Sequence, residues 1–434
     1  MKRRLRVYKK TVSIVNETAI GMYESLVGNK KGFLLESYDK NYDRYTFFGK
    51  EPEEIITSRG DALVIRRNNG TEEIRQGNPL ERLKEYYSEF DIVKENEELS
   101  FSGGLVGNLG YDFVRYAEVL PDNNPDEIGI ETIQMMLMTK FILVDHVAET
   151  LTAVILGEDS EDGKKKALAE AAELIEEARK NAGQIPDRNF THDGVIVNQS
   201  DTLEQYCEKV EKIKQYIREG HIFQTVLSQR WTIETKQTGF ELYKELRELN
   251  PSPYLYYFNY GEFEVIGSSP EMIVKQQGSR VYTCPIAGTR RRGVDAEEDA
   301  LLRDELLRDE KERAEHYPRI WERLYTHCIS EQDGSDRSYY NSHDPPHATD
   351  YRRLDEELRH YACALCAYRL SYTDFTGTLR NRYKHYIHNS YTADNKRNSR
   401  NARREQRHHG CYLAQRIHHA GNADDVILVL VLKL

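Results

Sequence analysis

The sequence predicts an α+β protein, and three observations carry that reading. Short apolar runs at 62–65, 141–144 and 151–156, with turn residues between them, make the first 157 residues strand-rich. Two helical segments follow, at 164–181 and 203–219. A hairpin then forms from 254–258 and 263–266 around Asn259, Tyr260 and Gly261.

Each element has a local cause. Residues 100–112, SFSGGLVGNLGYD, carry four glycines, the composition of tight turns and close backbone packing. The segment 164–181 is charged and alanine-rich, a good helix former. Residues 183–194 are polar with one proline and read as a connector. In 203–219, Leu203, Tyr206, Val210, Ile213 and Ile217 line one helical face. Asp201 with Glu204 is expected to form its capping box, and Gly220 to stop it. Residues 221–230 read as a turn entering a strand, 273–275 and 280–282 as strands around Gly278, and 295–316 as helical.

Bulk properties narrow the function classes. At 434 residues the chain can hold one large domain or two to three ordinary ones. A net charge of −11 argues against general nucleic-acid binding. The basic start MKRRLR precedes no apolar run, so a secretory signal is not expected, and no run reaches bilayer length. Six scattered cysteines read as reduced thiols of a cytoplasmic protein. Cys363 and Cys366 form a lone CxxC, which chance explains best.

The residues richest in chemistry are CPIAGTRRRG at 284–293 and DEKERAEH at 309–316. Gly288 lets a backbone N–H approach an anion, and the guanidiniums of 290–292 suit carboxylates. Glu312 and Glu315 fall on one face of a helix, and a carboxylate pair of that kind can share Mg²⁺. By spacing alone such a pair is more often a solvated face.

After His316 the composition changes. The last 118 residues hold 15 Arg against 3 Lys, and 10 of the 14 His. Their 18 basic and 14 acidic residues give +4, against −15 for residues 1–316. Apolar periodicity is absent until 426–432. Three readings stand: translation out of frame, a solvated tail, or a basic arm for RNA. The first is favoured, and the fold of this quarter is left open.

FLLES at 33–37, the stretch 220–230, NPSPY at 250–254, GSSPE at 267–271, 285–293 and 309–316 follow one another in the chain. Through these motifs residues 1–316 resemble the large subunit (component I) of anthranilate synthase, a chorismate-utilising enzyme. The resemblance implies a sandwich of layered antiparallel sheets covered by helices. It implies an N-terminal regulatory region, 1–183, and a catalytic domain starting at 195–316, with 317–434 unmatched. It implies amination of chorismate with loss of pyruvate to give anthranilate, in tryptophan biosynthesis. Mg²⁺ would be the cofactor, and a glutamine amidotransferase partner (component II) would supply ammonia.

By the same resemblance Glu271 is the general acid for the departing hydroxyl, and Gly288 and Thr289 touch chorismate. Glu312 and Glu315 are the first pair of metal acids. Gln224 stands where relatives that add water need a lysine base; an amide only positions, so Gln224 favours amination. Ser37 with Pro251, Ser252 and Pro253 resembles the feedback pocket for tryptophan.

The family's later motifs, including a catalytic histidine and a second glutamate pair, are not recognisable. Ser342 with His343, and 421–425, are faint echoes. Asn108 and His221 stand where tyrosine and aspartate are expected. The expectation is therefore an impaired enzyme. The alternatives are the aminodeoxychorismate synthase large subunit, or a non-catalytic module binding tryptophan or a partner, with a basic RNA-binding tail.

Overall fold

The computed structural model describes residues 2–37, 44–93, 99, 101–120, 126–183, 194–222, 225–272, 274–277, 280–282, 290–291, 293–309, 348–350 and 428–433. Two compact units divide the chain: Met1–Pro270 with Gly410–Leu434, and Glu271–His409.

The first unit opens with β1 (Arg3–Ser13), α1 (Ala19–Leu26), β2 (Gly32–Glu36), β3 (Tyr45–Lys50), β4 (Glu54–Ser58), β5 (Ala62–Arg67), β6 (Glu72–Gln76), α2 (Pro79–Ser88) and β7 (Phe90–Val93). It continues with β8 (Gly104–Leu109), a 3₁₀ turn, β9 (Ile133–Met138), β10 (Lys140–Asp145), β11 (Thr150–Glu158) and α3 (Glu161–Arg179). Then come β12 (Val195–Gln199), α4 (Leu203–Arg218), β13 (Trp231–Glu234), α5 (Gly239–Leu249), β14 (Tyr254–Asn259) and β15 (Glu264–Ser269). The second unit holds β16 (Lys275–Gln277), β17 (Arg280–Tyr282), α6 (Ala296–Arg308) and β18 (Ala348–Asp350); β19 (Leu428–Lys433) returns to the first.

Eight strands form one sheet in the order β15-β14-β2-β3-β10-β11-β1-β7, and six form another, β19-β8-β9-β4-β5-β6. Every pairing is antiparallel except β1 with β7. The period-2 alternation of β10 shows how the layers are made. Phe141 and Leu143 join a core with Val106, Met136 and Met138 of the six-stranded sheet. Ile142 and Val144 face the other way, into a core with α1, α3 and Tyr243 of α5. The layers are thus helices, eight-stranded sheet and six-stranded sheet, and the expected α+β class of layered antiparallel sheets is what the chain adopts.

Close contacts explain two glycines. A Cβ on Gly107 would lie 2.0 Å from the Gln134 carbonyl, so β8 and β9 meet only because that side chain is missing. Gly261 turns the β14–β15 hairpin at φ +91°, and its N–H donates to Asn259 Oδ1 over 2.8 Å. The buried Glu54 carboxylate ties β1 and β5 to β4. It accepts from Arg3 Nη2 (2.9 Å), Arg67 Nε (3.1 Å) and the Tyr86 hydroxyl (2.6 Å).

Several local expectations change. The α4 capping box is Thr202 with Gln205, one residue later than expected. A hydroxyl reaches the N3 amide there, while the Asp201 carboxylate instead accepts from Lys209 Nζ at 2.5 Å. The strand expected within 221–230 begins only at Trp231, where pairing with β12 starts. The apolar stripe of α4 exists, but none of the helix's residues is buried. In the second unit β17 falls at 280–282 as expected, but its partner β16 spans Lys275–Gln277 rather than 273–275, and the helix expected over 295–316 ends at Arg308, where Asp309 is extended.

Candidate functional site

The first group of residues gathers at one end of β2 and β14. Those strands pair antiparallel, with Leu255 opposite Glu36 at the last step. Ser37 therefore follows level with Tyr254, two residues from Ser252. The FLLES and NPSPY motifs, more than two hundred positions apart, become neighbours through that register. The Ser37 Oγ is buried and has no hydrogen-bond partner among the described residues. Such an orphan costs about 1–3 kcal/mol unless something satisfies it. Ser252 is buried beside an exposed Pro251 and a half-buried Pro253.

Two clamps fix this end. The Glu36 carboxylate, 2% exposed, accepts from the Tyr243 hydroxyl at 2.6 Å and from Arg247 Nε at 2.7 Å. Tyr243 and Arg247 share a face of α5, four residues apart. Burial, and then the adjacent Glu36 carboxylate, holds the Tyr243 phenol well above its usual range, so it remains a donor. The second clamp joins Ser268 Oγ of β15 to the Asn250 carbonyl at 2.6 Å, where α5 ends. Sequence reading quoted Glu36 within its motif but gave it no task. The signal was available: a carboxylate on a strand of buried residues needs charged or hydroxyl partners.

Glu271 follows β15 directly and is half-buried. In its unit, α6 is capped by Asp295, whose carboxylate accepts from the Glu298 amide at 2.8 Å. The arginines expected to face a substrate anion are engaged with that helix's acids. Arg290 reaches Glu305 (3.2 Å) and Asp309 (2.7 Å), and Arg291 pairs with Glu298. Gln224, Gly288, Thr289, Glu312 and Glu315 lie outside the described residues, as do Arg292, His343, Cys363, Cys366 and 421–425. Among the described residues no three His, Cys, Asp or Glu side chains gather as a metal centre. Asn108, where a tyrosine was expected, is buried, and its Oδ1 accepts from the Tyr260 hydroxyl at 2.9 Å. Among the described residues the cysteine present, Cys207, is a free and exposed thiol, and no helix is long and apolar enough to cross a membrane.

The sequence profile of the chorismate binding enzymes matches residues 33–318. The chain belongs to that family. Among its relatives is anthranilate synthase component 1 of Acetivibrio thermocellus, 37% identical over 311 residues, which are 69% of this chain and 63% of that one. The same component of Thermus thermophilus is 36% identical over 72% of this chain and 66% of its own. The crystal structure of anthranilate synthase component I from Streptococcus pneumoniae aligns with a TM-score of 0.49 at 29% identity, covering 65% of this chain and 61% of that one. The chain spans about three fifths of the length of the first curated relatives it matches. As a chorismate-binding enzyme chain it shares their family over residues 33–318.

Proposed function

We propose that this chain is a component I-type subunit that aminates chorismate, carries a feedback pocket for tryptophan, and is impaired in its last quarter. The observation that carries the reading is the buried Ser37 hydroxyl, without a partner among the described residues and brought beside Ser252 by the β2–β14 register. A free amino acid offers an ammonium and a carboxylate, either of which satisfies that hydroxyl. The proline-flanked Ser252 turn supplies a second rigid wall. Regulation is assigned to residues 1–183 with this pocket, and catalysis to the region starting at 195–316.

In the reaction, ammonia attacks the chorismate ring and the ring hydroxyl departs as water. Pyruvate is then eliminated, and the ring aromatises to anthranilate. Glu271 protonates the leaving oxygen, a role that needs a carboxylic acid near it. Gln224 orients without acting as a base, which ammonia does not require. Gly288 and Thr289 hold the substrate through backbone approach. Glu312 and Glu315 are the acids for a Mg²⁺ ion, which when bound supplies a Lewis acid for a substrate carboxylate. Component II, a glutamine amidotransferase, supplies the ammonia. The match to the family stops at 318, so the remaining ligands and the catalytic histidine are not provided and turnover is expected to be near zero.

Two readouts test this together. Millimolar tryptophan should raise the melting temperature, because a ligand that binds only the folded state stabilises it, and Ser37→Ala should abolish the rise. Anthranilate fluorescence with chorismate, Mg²⁺ and ammonium should stay at background. No thermal shift, or an equal one after Ser37→Ala, removes the pocket. Turnover like that of ordinary enzymes removes the impairment.

A further inference from the structure

Helix α5 touches the pocket at both of its walls. Its C-terminus runs straight into Pro251, Ser252 and Pro253, and Asn250 caps it. Its inner face reaches Glu36, the residue before Ser37. Each Glu36 oxygen takes its own donor, Oε2 from Tyr243 and Oε1 from Arg247, so the carboxylate cannot rotate without losing one. The side chain of Glu36 is 2% exposed, so water cannot replace either donor. The helix is held elsewhere by independent contacts. Thr238 and Glu241 form its capping box, Lys244 Nζ meets Glu24 at 2.9 Å, and Phe240 stacks on Tyr23 with centroids 4.7 Å apart.

We propose that Tyr243 and Arg247 are positioning residues for the amino-acid pocket. By clamping Glu36 they fix the end of β2, and with it the direction of the Ser37 hydroxyl relative to the Ser252 turn carried by the same helix. The ligand class is a free α-amino acid, tryptophan being the probe, and the inference rests on the pocket reading given above. The device makes one rigid piece of two segments about two hundred residues apart. Preorganisation of this kind raises affinity by removing the cost of ordering the site when ligand enters. It also separates the pocket's affinity from the stability of the helix, because α5 keeps its other contacts when the clamp is cut.

The test is isothermal titration of the full chain with L-tryptophan at pH 7. Tyr243→Phe deletes one hydroxyl and keeps the ring. Arg247→Lys keeps the charge and loses the Nε geometry, and Arg247→Met loses both. Because a hydrogen bond to a charged group is at stake, Tyr243→Phe should weaken binding about tenfold. Arg247→Met should weaken it more, and Arg247→Lys should recover part of that loss. Lys244→Met cuts the helix's contact with Glu24 instead; it should lower the melting temperature while leaving the Kd within about twofold of the parent. If the parent binds tryptophan and Tyr243→Phe and Arg247→Lys bind within about twofold of it, the positioning role is overturned and the pocket stands. If the parent shows no heat of binding at millimolar tryptophan, the pocket and the positioning role fall together.

Discussion

Helices α3 and α4 are both amphipathic and both capped, yet only one is buried. α3 places Ala167, Ala171, Leu174, Ile175 and Ala178 against the eight-stranded sheet. Its start is fixed by Ser160, which accepts from the Gly163 amide at 3.0 Å, with Glu161 and Asp162 favourably placed in the first turn. α4 carries Tyr206, Val210, Ile213 and Ile217 at the same kind of spacing but buries none of them. The adjoining two-stranded sheet of β12 and β13 repeats the contrast, with Val195, Ile196, Val197 and Ile233 all exposed. An apolar stripe is only half of a core; the other half must come from a partner surface. For α3 that surface is β11, β1 and β10. For α4 the cover is partial, and Tyr206, Val210, Ile213 and Ile217 stay half-buried.

That contrast can be broken by mutation. Leu174→Ala should cost about 2–5 kcal/mol, as deletion of a buried leucine does. Ile213→Ala in α4 should cost less than Leu174→Ala, because Ile213 is only half-buried. Chemical denaturation of the two variants measures both, and equal costs would show that α4 is packed after all. Hydrogen exchange gives a smaller and sharper test. Amides of β10 and β11 should exchange only with global unfolding, whereas those of α4 should exchange through local opening at lower free energy.

The smallest expected effect is in acid. Glu17 is pulled upward by burial. Its hydrogen bonds from the Val15 and Asn16 amides and from Arg179, at the end of α3, outweigh that and bring its pKa down to about 2. A carboxylate depressed in the fold contributes stability above its unfolded value near 4.5 and loses it as pH falls towards about 2. The melting temperature should therefore decline over that window, and Glu17→Gln should flatten part of the decline without altering α4.

Local features were legible in the sequence. The apolar runs of 141–144 and 151–156, the turn at Gly261 and the helical stripe at 203–217 all follow from residue type and spacing. Features requiring distant partners were not. The α4 cap shifted because Asp201 has a stronger partner in Lys209. The strand within 221–230 began late because its pairing residues are Trp231 to Glu234. At the site, Ser37 and 251–253 were named from motifs, and their meeting depends on a register that no local pattern encodes. Glu36 escaped notice because its donors lie 207 and 211 residues further along the chain. Gln224, Gly288, Thr289, Glu312 and Glu315 keep the roles proposed for them without a described geometry.

The order of the eight-stranded sheet also dictates when it can close. β2 needs β14, about 220 residues downstream, and β1 needs β11, about 150 downstream. At a synthesis rate of roughly 5–20 residues per second, β2 waits about 10–40 s for its neighbour while Phe33 and Leu34 remain uncovered. Pairing across such sequence separations also slows the search for the native topology. Newly made chains therefore spend their first half-minute as clients for chaperones.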